Sequence, residues 1–180
     1  MKILVATEKP FAPVAIDGIK EAVKSSGYEL SILEKGSRED FKKAVADVDG
    51  LIVRSDIVDT EILDAARQLK VIVRAGAGVD SIDLAAAKER NICVMNTPGQ
   101  NSNAVAELVF GLLVFMLRNR FNGTSGTELK GKTIGIHAYG QVGKNVARIA
   151  KGFGMEVSAL DPFVEDSVME ADGVKPIHSV

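Results

Sequence analysis

Short apolar runs recur along the first half of the chain at nearly even intervals. They are the alternating run Tyr28–Leu33 and the continuous runs Lys2–Ala6, Leu51–Val53, Val71–Val73 and Ile92–Met95. Continuous, β-branched runs are typical of strands that are buried on both faces of a parallel sheet. Helix-like segments separate them, at Val14–Lys24, Glu39–Ala46, Thr60–Gln68 and Asp83–Arg90. The alternation predicts an α/β fold in which helices cover both faces of a parallel sheet.

This pattern changes at Asn96–Gln100, where proline and glycine end the fifth strand. Asn103 is predicted as a helix N-cap, and Val105–Leu117 is apolar on almost every side, which predicts a buried helix. A second strand–helix–strand unit follows at Lys132–His137, Gln141–Phe153 and Met155–Leu160. We therefore divide the chain into a first domain, residues 1–98, and a second, residues 99–180, which begins with the apolar linking helix.

Composition narrows the class of protein. Apolar residues make up 46% of the 180 residues, which is enough for a real core. The net charge of −2 and the lack of a basic run argue against nucleic acid and against a membrane surface as partners. The one cysteine, Cys93, excludes an internal disulfide and is predicted to be an inert core thiol. We expect a cytoplasmic protein, since no signal peptide or membrane span is evident.

The sharpest motif is Ala138–Gly143, which lies between a predicted strand and an amphipathic helix. It matches the dinucleotide fingerprint GxGxxG, with Ala138 in place of the first glycine. Gly140 would let the backbone approach a pyrophosphate, and Gly143 would let the helix pack closely on the strand. Asp161 ends the next strand, where a carboxylate binds the adenosine ribose and repels a 2′-phosphate. The motif therefore favours NAD over NADP; the structural alternative is an ordinary glycine turn with a solvated aspartate.

A second glycine-rich loop, Arg74–Asp80, follows a strand of the first domain. Ser81 stands at its third glycine position, so it is a poor dinucleotide loop but a good anion nest. Arg54 and Ser55 follow the neighbouring strand in the same way, and in a parallel sheet these points share one edge. Arg54, Ser55, Arg74, Gly76 and Gly78 are therefore candidates to bind a small substrate with more than one negative charge. The alternative is two surface arginines beside a turn.

The remaining titratable side chains give weaker signals. His137 lies within a predicted strand and is expected to be a packed core histidine, whereas His178 is expected to be exposed. Two histidines so far apart do not make a metal site. Glu107 enters the apolar helix and is expected to be capped or paired there.

Taken together, several stretches of the chain resemble the D-isomer-specific 2-hydroxyacid dehydrogenases. They are Val71–Asp80, Val94–Pro98, Asn103–Leu108, Gly126–Ile136 and Gly152–Pro162. The resemblance implies a flavodoxin-like substrate domain, the first part of a Rossmann NAD-binding domain, and an active site in the cleft between them. Within the family, the chain most resembles members that oxidise 3-phosphoglycerate to 3-phosphohydroxypyruvate, which is the entry to serine synthesis.

The resemblance also assigns roles to individual residues. Those matching Arg54, Ser55, Arg74, the Gly76–Gly78 loop and Asn101 lie around the substrate. Those matching Ala77, Gln141, Val142 and Asp161 contact NAD. Ala77 stands where a hydroxyl residue is common, so one polar contact is lost while the backbone is kept. The implied partners are a phosphorylated hydroxy acid and, for a complete chain, a second copy in a homodimer.

The family's catalytic Arg, Glu and His match no residue here and are expected beyond Val180. The sequence is therefore interpreted as the N-terminal part of an enzyme, inactive by itself. Two alternatives stay open: a glyoxylate or hydroxypyruvate reductase of the same family, and a non-catalytic NAD-binding module.

Overall fold

The chain folds into two units, each with its own core. The computed structural model describes residues 1–179; the first unit is Met1–Pro98 and the second begins at Gly99. No helix among these described residues is both long and apolar enough to cross a membrane.

The first unit is a five-stranded parallel sheet in the order β2-β1-β3-β4-β5. Its strands are β1 Lys2–Thr7, β2 Glu29–Glu34, β3 Gly50–Val53, β4 Val71–Arg74 and β5 Cys93–Asn96. The helices between them are α1 Pro13–Ser25, α2 Arg38–Val45, α3 Thr60–Ala65 and α4 Leu84–Glu89. The predicted parallel α/β architecture is confirmed, and the strand order is that of flavodoxin-like sheets.

Side chains fix the starts of three of these helices. Ser37 and Asp40 form a reciprocal capping box at α2, and Asp59 and Asp83 accept backbone N–H bonds at the starts of α3 and α4. Each cap satisfies a backbone donor that the helix itself leaves free. The capped helices bury their apolar faces on β1, β3 and β4, whose core residues include Leu4, Leu51 and Ile72.

The second unit contains a three-stranded parallel sheet in the order β6-β7-β8. Its elements are α5 Ser102–Leu117, β6 Thr133–His137, α6 Gln141–Gly152, β7 Glu156–Leu160, α7 Asp166–Ala171 and β8 Lys175–Pro176. Its core combines one side of α5 with α6 and the sheet, and Phe110 of α5 stacks on Phe153 at 5.2 Å between ring centroids. The order β6-β7-β8 is the start of a Rossmann half-sheet.

The prediction that Val105–Leu117 is buried is wrong. Only Ser102, Ala106 and Phe110 of α5 are buried, while Val105, Leu108, Leu112, Phe115 and Met116 are exposed. A helix that is apolar on all sides is hydrophobic, but its sequence does not show how many of its sides pack against other elements. Asn103 is also not the N-cap: that position is Asn101, and the Asn103 amide instead donates to Glu107 Oε1 at 2.6 Å.

Two predictions of buried side chains also fail. Cys93 is exposed because it lies on β5, an edge strand of the first sheet. His137 is exposed, and among the described residues β6 is an edge strand of the second sheet. An apolar strand sequence does not show whether the strand is central or at an edge.

Candidate functional site

Polar side chains of the first unit follow β3 and β4 at the carboxyl edge of the sheet. In the register of this pair, Val53 lies opposite Arg74. Arg54 and Ser55 therefore leave the sheet directly beside Arg74 and the Gly76–Gly78 loop. Ligands of open α/β sheets bind at this edge.

Backbone carbonyls fix the two arginines. The Arg74 Nε donates to the carbonyl oxygen of Arg54 at 2.8 Å, and the Arg54 Nη1 donates to that of Pro10 at 3.3 Å. Neither guanidinium has a carboxylate within ion-pair distance among residues 1–179. Two such cations at one edge form a site for an anion, and each keeps further donors free.

The glycine-rich loop lies against the Arg74 side chain. A Cβ at Gly76 would overlap the Arg74 guanidinium, so a larger residue there would require the arginine side chain to move from its present position. Two contacts from the end of β5 hold the loop: the Thr97 N–H donates to the Gly76 carbonyl at 2.9 Å, and the Asn96 amide donates to the Ala77 carbonyl at 2.7 Å. The Asn96 contact was not foreseen, because its partner Ala77 lies in the loop that follows a different strand.

The second unit carries the dinucleotide fingerprint at the carboxyl end of β6. Ala138, in place of the first glycine, has φ of +81°. Gly140 is the N-cap of α6, and no side chain caps the helix. A Cβ at Gly140 would meet nothing within 4 Å, whereas a Cβ at Gly143 would overlap the Ala138 carbonyl oxygen. The turn thus leaves free amides and open space where a pyrophosphate would bind.

Asp161 lies next to this turn, at the end of β7. Its Oδ2 accepts the Tyr139 N–H at 2.7 Å, and its Oδ1 accepts the Phe163 N–H at 2.9 Å. Each carboxylate oxygen has a second lone pair that can accept a ribose hydroxyl. Phe163 is 95% exposed, so an aromatic side chain two residues after Asp161 is open to solvent. The only sequence signal for Phe163 is its place directly after Asp161–Pro162.

Gln141 and Val142 occupy the first turn of α6 and are exposed. Asn101 is exposed at the start of α5, in the second unit, whereas the other substrate-site candidates belong to the first. The turn before Asn101 is anchored to α6: the Asn145 amide donates to Ser102 Oγ at 3.2 Å, and Ser102 Oγ donates to the Gly99 carbonyl at 2.6 Å. The cofactor helix and the turn at Asn101 are therefore linked by hydrogen bonds.

Tyr139 adds a contact that the sequence did not suggest. Its hydroxyl donates to Asp172 Oδ2 at 3.0 Å, and the two residues are 33 positions apart. Burial, together with the bond to the Asp172 carboxylate, raises the pKa of Tyr139 to about 12. The hydroxyl is therefore a permanent donor at neutral pH.

His137 is exposed at the end of β6, directly before the fingerprint turn. His178 contacts Asp166 at 3.3 Å on the surface. Within residues 1–179, no three His, Cys, Asp or Glu side chains are arranged to hold a metal ion.

Comparison with known proteins identifies the family. The model for the catalytic domain of D-isomer-specific 2-hydroxyacid dehydrogenases matches residues 4–171. The D-3-phosphoglycerate dehydrogenase of Archaeoglobus fulgidus is 38% identical over 189 residues, which cover 97% of this chain and 35% of the relative. The hydroxypyruvate reductase of Thermotoga maritima is 40% identical over 139 residues, which cover 69% of this chain and 45% of the relative.

A solved structure agrees with these sequence relatives. The NAD⁺-bound 3-phosphoglycerate dehydrogenase of Entamoeba histolytica has a TM-score of 0.86 and 50% identity, covering 92% of this chain and 55% of its own. The chain belongs to the D-isomer-specific 2-hydroxyacid dehydrogenase family, as its sequence motifs predicted. It spans about a third of the length of the curated phosphoglycerate dehydrogenases that it matches.

Proposed function

We propose that this chain contributes the substrate-binding domain and part of the NAD-binding domain of a D-3-phosphoglycerate dehydrogenase. The observation that carries the substrate assignment is the pair Arg54 and Arg74, two guanidiniums without carboxylate partners among residues 1–179, beside the Gly76–Gly78 loop. A phosphorylated hydroxy acid carries the two anionic groups that such a site would bind. The relatives from Archaeoglobus and Entamoeba support the same substrate.

The residues present also fit NAD. The uncapped start of α6 and the open space at Gly140 suit a pyrophosphate, and the Asp161 carboxylate suits the ribose hydroxyls. NAD held by these residues would supply a hydride acceptor for oxidation of the substrate. In the first unit, Arg54, Ser55 and Arg74 would bind and orient the acid; in the second, Gln141 and Val142 would line the cofactor.

A binding experiment on this chain tests the substrate. Titration calorimetry or NMR would compare 3-phosphoglycerate with glycerate, which lacks the phosphate. We expect Arg54→Ala and Arg74→Ala each to weaken 3-phosphoglycerate binding about tenfold or more, since each removes charge-assisted hydrogen bonds. Arg67→Ala, which removes an exposed arginine elsewhere on the first unit, is the matched control.

The outcomes separate the candidates. Unchanged affinity in both arginine variants would contradict the assignment. Equal binding of glycerate and 3-phosphoglycerate would favour a hydroxypyruvate or glyoxylate reductase, for which the Thermotoga relative is the precedent. Binding of NADH without either acid would favour a non-catalytic NAD-binding module.

We also propose that the exposed face of α5 is a homodimer contact. Leu108, Leu112 and Met116 are spaced by four residues and are all more than half exposed, so they form one apolar stripe. A two-fold interface would cover the stripe on both copies at once. Sedimentation velocity should show a dimer that Leu112→Glu dissociates, whereas Leu84→Glu, at an exposed leucine of the first unit, leaves it intact.

A further inference from the structure

Tyr139 holds an unusual place in the fingerprint turn. It lies between Ala138 and Gly140, yet its side chain points into the core of the second unit and is only 1% exposed. Its hydroxyl reaches Asp172, the residue directly after α7. One side chain therefore connects the cofactor turn to the segment between α7 and β8.

The connection matters because the residue before Tyr139, Ala138, has a strained backbone. Ala138 has φ of +81°, a conformation that glycine adopts freely and that a residue with a Cβ adopts at a cost. Strained backbone of this kind persists only where the surroundings hold it. Two bonds from backbone donors do so here: the Ala138 N–H donates to the Leu160 carbonyl at 2.8 Å, and the Tyr139 N–H donates to the Asp161 carboxylate.

We propose that Tyr139 is a positioning residue for the cofactor, and that its bond to Asp172 is the third contact that holds the strained turn. Because the side chain is buried, it acts through its own backbone, which leads directly into Gly140 and the free amides of α6. The inference deepens the proposed NAD binding and depends on it.

The acceptor of the Tyr139 hydrogen bond, Asp172, is also held in place. Lys151 donates to the backbone carbonyl of Asp172, so the acceptor residue is itself anchored to the end of α6. The Lys144 ammonium lies 5.8 Å from the centroid of the Tyr139 ring. The tyrosine is thus held at its hydroxyl and covered on its ring.

The test uses variants of the full 180-residue chain and two probes, ADP and adenosine, which differ in the pyrophosphate. Tyr139→Phe keeps the ring and removes the hydroxyl; Asp172→Ala removes the acceptor from an exposed residue, and Asp172→Asn keeps an acceptor as the matched control. Each is also made together with Ala138→Gly, which relieves the strain. Dissociation constants are measured by NMR titration.

We expect Tyr139→Phe and Asp172→Ala to weaken ADP about fivefold, as a misplaced amide turn would, while adenosine affinity is unchanged. Asp172→Asn should change ADP affinity less than about twofold. In the Ala138→Gly background the loss on Tyr139→Phe should shrink to less than about twofold, because the turn no longer needs the third contact.

An equal loss of ADP affinity in both backgrounds, or an equal loss for adenosine, would overturn the inference and leave Tyr139 as a core residue only. If Tyr139→Phe does not fold, Asp172→Ala gives the same comparison. Failure of the unaltered chain to bind either probe would instead refute the proposed cofactor function, which separates the two failures.

Discussion

The close approach of α6 to the cofactor turn makes Gly143→Ala the most informative substitution in this chain. A Cβ there would lie 3.2 Å from Ile136 Cγ2 and would overlap the Ala138 carbonyl oxygen. The oxygen belongs to a backbone that is already strained, so it cannot retreat cheaply. Overpacking of this kind costs about 1–3 kcal/mol, and we expect the upper end.

For a unit of this size, about 3 kcal/mol corresponds to a fall in Tm of roughly 12–24 °C. The start of α6 must also move by roughly 1 Å, and such a displacement weakens NADH binding by about tenfold or more. Thermal unfolding monitored by circular dichroism and fluorescence titration with NADH measure the two effects.

Two other glycines serve as controls for Gly143→Ala. Gly140→Ala meets nothing within 4 Å and has φ of −79°, so stability should change by less than about 0.5 kcal/mol while NADH binding weakens. Gly111→Ala, in the middle of α5 with nothing within 4 Å, should raise stability by about 0.5–1 kcal/mol. A Gly143→Ala variant with the stability and NADH affinity of the unaltered chain would refute the reasoning.

Three further results are expected. Asp161→Asn removes the charge and keeps one amide oxygen, which can accept either the Tyr139 or the Phe163 N–H. It should lower the preference for NADH over NADPH about tenfold in fluorescence titrations, and an unchanged preference would contradict the role of the charge. The pKa of Tyr139 is raised from 10 to about 12, so its neutral hydroxyl stabilises the fold fully below pH 10, and this contribution is lost as the pH rises through about 12. Tyrosinate absorbance should therefore show a group that titrates late and that Tyr139→Phe removes. Cys93, being exposed, should react with a thiol reagent in the native protein as fast as in the unfolded chain, and strong native protection would contradict the exposure.

The elements of the fold were largely predictable because burial on both faces leaves a strong pattern. The continuous run at Leu51–Val53 became β3, Gly50–Val53, and the alternation of strands and helices led directly to a parallel sheet. The pattern did not predict which strands lie at the sheet edges or which sides of a helix contact other elements. Cys93 and His137 lie on edge strands, and half of α5 has no neighbour among the described residues, although all three sequences are apolar.

In the candidate site, too, features set by local sequence were predictable and contacts between separate elements were not. Gly140, Gly143 and Asp161 could be proposed from the sequence because the roles predicted for them depend on spacing along the chain within one strand–turn–helix–strand unit. The Tyr139–Asp172 bond and the Asn96–Ala77 bond join residues from separate elements, 33 and 19 positions apart. Only the packed structure brings such partners together.

The two separate cores have a consequence for calorimetry. Because each unit buries its own set of apolar residues, heating is expected to produce two unfolding transitions in place of one. A ligand raises the transition of the unit that binds it and leaves the other unchanged. NADH should therefore shift mainly the transition of the second unit, which carries most of the proposed cofactor contacts. A single heating experiment would then assign the two peaks and measure the affinity of the second unit for NADH.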